Sequence, residues 1–95
     1  MKDSATVRKL REIKPDLIFK HRLTRLLAFD PAVIGEVGQN SIGILVAYRE
    51  VPSLFEVSEL QNDLKDQLGV KIYLAVKGMI QPQWEGIIEN STVDV

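Results

Sequence analysis

The sequence predicts a mixed α/β (α+β) fold, a β-sheet of three to four strands with helices packed on it. Three observations predict it. The stretch Leu26–Tyr48, LLAFDPAVIGEVGQNSIGILVAY, reads as strand, short helix, glycine-rich turn and strand. Ser41–Tyr48 is apolar on both alternating faces, as a central strand covered on both sides must be. Helical and strand periodicities alternate along the rest of the chain, and that alternation favours helices laid on a sheet.

The first helix begins near Ala5, with Ser4 as a cap. Val7, Leu10 and Ile13 recur at three-residue spacing beside Arg8, Lys9, Arg11 and Glu12. Pro15 lacks an amide donor, so it is expected to end that helix or open the next. Asp16–Arg22 reads as a further helical turn or two, with Leu17 and Ile18 inward. His21, among Lys20, Arg22 and Arg25, is expected at the surface.

Leu23–Phe29 reads as a strand. Asp30-Pro31 follows, an N-cap residue and a first-turn proline, so a brief helix is expected from Pro31 to about Val37. Gly38, Gln39 and Asn40 then turn the chain into the Ser41–Tyr48 strand. Ser53-Leu54-Phe55-Glu56 fits a capping box, and Val57, Leu60, Leu64 and Leu68 form the apolar face of the helix it opens. Glu59, Asn62, Asp63, Lys65 and Asp66 fall mostly outside, and Gly69 suits the C-terminal cap. Val70–Lys77 is the third strand. Pro82 opens a last helix over Gln83–Glu89, with Trp84, Ile87 and Ile88 inward. Thr92–Val95 can add an edge strand.

At 95 residues the chain is read as a single domain, 1–95. The formal net charge of −1 gives no overall pull toward nucleic acid or membrane. Basic residues gather between Arg8 and Arg25 and acids from Glu50 onward, read first as charges solvating helices. With no cysteine, disulfides, thiolate metal sites and a Cys nucleophile are excluded. The N-terminus has no apolar signal core and no apolar run approaches a membrane span, so the cytoplasm is expected. No phosphate-loop lysine motif, paired-histidine zinc motif, calcium loop or dinucleotide glycine fingerprint is present.

Over residues 9–95 the chain resembles the minimal nucleotidyltransferases, small relatives of the DNA polymerase β nucleotidyl-transfer domain. The segment LREIKPDLIFKH resembles the family's opening helix, and VPSLFEVSELQNDLKDQLGVKIYLAVKGMIQP follows the family in order and spacing. The resemblance implies a strand ending in Phe-Gly-Ser, a second strand carrying Asp-x-Asp and a third strand holding another Asp. Here Phe29 falls on the Phe, Asp30 and Pro31 occupy the Gly-Ser positions, and Gly35-Glu36 falls on the Gly-Glu that follows. The first catalytic Asp is absent or replaced by Ser41, the second falls on Gly43 and the third on Tyr73. No Asp or Glu occurs from Val37 to Arg49 or from Gln67 to Trp84, so neither strand supplies a carboxylate in any register.

The family's chemistry uses magnesium, which takes oxygen ligands, in practice carboxylates and substrate phosphates. Ser41 offers only a weak neutral oxygen, Gly43 none from a side chain and Tyr73 a phenol neutral near pH 7, so no metal or other cofactor is expected. At the Gly-Ser turn the family binds phosphate on free amides. Asp30 would satisfy those amides itself and repel phosphate, at a cost of about 4 kcal/mol for like charges ~4 Å apart in an effective dielectric near ~20. Shared metal binding by Asp30 and Glu36, at opposite ends of a short helix, is not expected.

The resemblance therefore implies a catalytically inactive nucleotidyltransferase-like domain acting through protein contact. Its partner would be a small helical-bundle protein of the HEPN type, in a toxin–antitoxin-like pair, or a second copy of itself. The alternatives are an active nucleotidyltransferase with non-standard ligands and a nucleic-acid-binding module using Arg8, Arg11, Arg22 and Arg25. Nucleic acid is the less expected partner, because no aromatic residues interleave with those arginines in the pattern that single-strand binding uses.

Overall fold

The computed structural model describes residues 5–36 and 40–95. Helix α1 (Ala5–His21) leads into strand β1 (Leu23–Phe29), a 3-10 turn (Pro31–Ile34) and strand β2 (Ser41–Tyr48). Helix α2 (Leu54–Leu68), strand β3 (Lys71–Val76), helix α3 (Pro82–Ser91) and strand β4 (Val93–Asp94) complete the order. The sheet runs β3-β2-β1-β4. Strand β2 pairs parallel with β3 and antiparallel with β1, and β4 pairs antiparallel with β1, so the sheet is mixed as expected. The cap at Ser4 and the turn at Gly38 and Gln39, with the end of the short helix at Val37, lie outside the described residues.

Each face of the sheet has its own core. On one face Leu26, Ile42, Ile44, Val46 and Ile72 pack against Leu10 and Leu17 of α1 and Leu60 and Leu64 of α2. On the other, Phe29 and Leu45 pack with Ile88 of α3 and with Val33 and Ile34 of the 3-10 turn. Strand β2, the middle of the sheet, is buried on both faces. Alternation along the strand sends its even-numbered residues to α1 and α2 and Gly43 and Leu45 to α3.

Three expectations need correction. Helix α1 does not stop at Pro15; it runs on to His21. Its buried stripe is Val7, Leu10, Ile13, Leu17 and His21, while Pro15 and Arg11 are exposed. The carbonyl of Arg11, four residues back, loses its helical donor on the exposed side of the helix, where solvent can reach it. Burial of Leu17 outweighs that loss. Continuity also carries His21 onto the buried stripe, at 8% exposure, rather than to the surface. Its Nε2 lies 2.9 Å from Oδ2 of Asp63, which is drawn half inside for the same reason. Finally, Ile87 is 43% exposed; only Ile88 of α3 is fully buried, with Trp84 half-buried.

The caps form as their chemistry dictates. The Ser53 hydroxyl accepts from the Glu56 amide at 3.1 Å, and the Glu56 carboxylate accepts from the Ser53 amide at 2.9 Å. The backbone amide bond from Ser53 holds the exposed Glu56 carboxyl below its ordinary pKa. Gly69 closes α2 with φ of 68°, a left-handed conformation that glycine adopts without Cβ strain.

Candidate functional site

Strand register decides which of the candidate residues meet. Phe29 of β1 is the partner of Gly43 on β2, and Gly43 is the partner of Tyr73 on β3. The three residues therefore form one row across the sheet, on the face covered by α3. Ser41 is opposite Lys71 in the same parallel pair. Asp30 and Pro31 follow immediately at the end of β1. The tertiary structure thus gathers Asp30, Pro31, Ser41, Gly43 and Tyr73 around one end of the sheet.

Asp30 caps the 3-10 turn. Its Oδ1 accepts from the Ala32 amide at 3.0 Å, and its own backbone is extended, with φ −82° and ψ 121°. Pro31 supplies the pre-set φ of the first position and is buried. The turn closes at Gly35, whose φ of 81° requires a residue free of Cβ strain. It is a single four-residue 3-10 turn, Pro31–Ile34, rather than the longer helix the sequence suggests.

Gly43 is the point of closest packing. An ideal Cβ built there would stand 2.6 Å from Cζ of Phe29, well inside van der Waals contact. The Phe29 ring, itself 1% exposed, occupies the volume in which a side chain at Gly43 would begin. The neighbouring Tyr73 is half-buried. Its hydroxyl lies 3.4 Å from a Glu36 carboxylate oxygen, and the Lys71 ammonium stands 5.1 Å from its ring centroid. The Tyr73 hydroxyl, through its hydrogen bond and charge, pushes the exposed Lys71 ammonium above its ordinary pKa, with Glu36 adding to the effect.

Glu36, which the sequence offered only as part of the Gly35-Glu36 pair and as an unexpected metal partner for Asp30, is brought by the fold against Tyr73. It lies on neither β2 nor β3, yet the left-handed bend at Gly35 returns it to Tyr73. Its place in the Gly35-Glu36 pair was the available signal. Among the described residues no group of three or more His, Cys, Asp or Glu could hold a metal ion.

A cavity of about 430 Å³ adjoins this row, lined mainly by Phe29, Ile34, Tyr73, Ala75, Ile80 and Trp84. It continues around the open edge of β3 to Val57 and Gln61 of α2. Its walls are chiefly apolar. The basic residues proposed for nucleic acid lie elsewhere, and Arg25 is engaged by Glu89 at 3.4 Å. No helix among the described residues is long and apolar enough to cross a membrane.

No protein-family profile matches the chain. A protein of Methanocaldococcus jannaschii, provisionally named a protein adenylyltransferase, is 34% identical over 88 residues, spanning 90% of each chain. A solved structure described as a provisional minimal nucleotidyltransferase superposes with a TM-score of 0.75 at 23% identity, over 99% of this chain and 97% of that one. The shared fold and the near end-to-end sequence relationship together place the chain: it belongs to the minimal nucleotidyltransferase family.

Proposed function

We propose that the chain is a nucleotidyltransferase-like domain that does not transfer nucleotides and acts through protein contact. The observation that carries this reading is the Phe29–Gly43–Tyr73 row. It brings an aromatic ring, a bare backbone and a phenol together where the family resemblance puts metal-binding carboxylates. Magnesium needs hard oxygen donors in near-octahedral array. Among the described residues, the carboxylate in contact with the row is Glu36, facing the Tyr73 hydroxyl. The donor set does not fit the ion. Asp30 supports the same reading, because its carboxylate already takes an amide of the turn that a phosphate would need.

The test is isothermal titration with ATP and magnesium. No saturable heat is expected; metal-dependent binding in the micromolar range would overturn the reading. Partner choice follows from the resemblance: a small helical-bundle protein of the HEPN type or a second copy of this chain. A second reading, adenylyl transfer to a protein, is favoured by one observation, the 34% identical relative provisionally named for that activity. Incubation with labelled ATP and candidate acceptor proteins separates the two: covalently transferred adenylyl label supports the enzyme.

A further inference from the structure

We propose that the apolar cavity beside the Phe29–Gly43–Tyr73 row is a binding site for a small, uncharged, apolar aromatic molecule. Such a site goes beyond the protein-contact reading above and stands independently of it.

The walls come from strands β1 and β3, the 3-10 turn, α3 and the loop before it: Phe29, Ile34, Tyr73, Ala75, Ile80 and Trp84. Three of these are aromatic, out of one Trp, two Tyr and three Phe in the whole chain. Aromatic faces favour stacked or edge-to-face contact with another ring. The volume of about 430 Å³ falls in the roughly 300–1,000 Å³ range of small-molecule pockets, which are largely pre-formed and mostly apolar. One wall cannot retreat. The Phe29 ring is almost fully buried, is packed with Leu45 and Ile88 and lies so close over Gly43 that no Cβ fits between them.

Charge then selects the ligand. The charged groups that touch Tyr73 are opposite in sign: a Glu36 oxygen at 3.4 Å from its hydroxyl and the Lys71 ammonium at 5.1 Å from its ring centroid. An ion of either sign would meet one attraction and one repulsion there, and would lose water against apolar walls. An uncharged molecule meets neither cost. The main chain argues against a peptide strand in the same place. The Ile72 carbonyl already accepts from the Gln61 side chain at 3.3 Å, and the Val76 carbonyl from the Met79 amide at 2.9 Å. An added strand would compete for both acceptors, whereas a ligand that touches only side chains leaves them in place.

Trp84 is the chain's only tryptophan, so its fluorescence reports directly on this cavity. The probe is phenylnaphthylamine, an uncharged aromatic dye that takes up energy from tryptophan. Its sulfonated counterpart, anilinonaphthalene sulfonate, adds a negative charge to the same rings. With the intact protein, phenylnaphthylamine should quench Trp84 saturably in the micromolar range, and the sulfonate should bind on the order of tenfold more weakly. Ala75→Leu puts added bulk into the cavity and should weaken the dye on the order of tenfold. Ile80→Ala removes part of a loop wall and should weaken it several-fold; circular dichroism confirms that each variant is folded. Adhesion to the exposed Leu54 and Phe55 at the start of α2 is the competing explanation for dye binding. Leu54→Ser/Phe55→Ser should therefore bind the dye as wild type does. Absence of saturable quenching in the wild type overturns the inference. So does equal binding of the sulfonate, undiminished binding by both folded cavity variants, or loss of binding in the α2 variant. Displacement of the dye by adenosine or by ATP with magnesium would make this a nucleotide site and overturns it as well. Binding that fades as chain concentration rises would give the cavity to a second copy, with the same consequence. The protein-contact reading fails separately, on metal-dependent ATP binding that leaves the dye in place.

Discussion

Gly43 illustrates how one residue constrains the site. Its missing side chain is a steric requirement, because the Phe29 ring already fills the space. Gly43→Ala is expected to destabilise by about 1–3 kcal/mol, the usual cost of forcing extra atoms into a packed core. Chemical denaturation measures it. In Phe29→Leu/Gly43→Ala the alanine should cost less than it does alone, since the two side chains compete for one volume. Additive costs would show that the ring is not what excludes a Cβ. Rebuilding an acid at Gly43 therefore faces packing as well as Asp30, and Asp at Gly43 and Tyr73 together is not expected to create nucleotidyl transfer.

Among the elements, α1 is the one whose local and tertiary preferences conflict. A proline inside a 17-residue helix is locally costly, yet the stripe from Val7 to His21 is continuous. Pro15→Ala restores the missing amide donor. It should raise stability by about 2 kcal/mol, the interior proline penalty less the freedom alanine returns to the unfolded chain. Thermal denaturation would show a higher midpoint; an unchanged or lower one would mean that the proline has a packing role its exposure does not suggest. Helix α2 has no such conflict. Its capping box, apolar face and left-handed Gly69 agree with one another, and its residue range follows from them directly.

For the whole molecule, Asp63 ties α1 to α2. Its carboxylate contacts His21 at 2.9 Å, Lys20 at 3.2 Å and Gln67 at 3.0 Å. Burial pushes its pKa up, but the hydrogen bonds from His21, Gln67 and Lys20 outweigh burial and bring it down from 3.8 to about 2. A carboxyl depressed in the folded state stabilises fully above its unfolded pKa. That stabilisation is lost as pH falls from 3.8 through about 2. It amounts to about 2 kcal/mol. Stability measured by denaturant across this window should fall for the wild type. Asp63→Asn should be less stable at neutral pH and should flatten the fall, leaving the slope of other acids. An unchanged slope would place the acid sensitivity elsewhere.

The sequence by itself determined the strands and the cap chemistry. Leu23–Phe29 and Ser41–Tyr48 are bounded by residues whose local geometry admits little choice: Asp30 before Pro31, and an apolar run that ends at Arg49. It also showed that β2 and β3 carry no carboxylate, a matter of composition that no fold can alter. Only the tertiary structure decided that α1 passes through Pro15, that His21 is buried on Asp63 and that Glu36 returns to Tyr73. Only the strand register set Phe29 against Gly43. These are contacts between residues distant along the chain, and local periodicity carries no information about which side chain fills the space beside another.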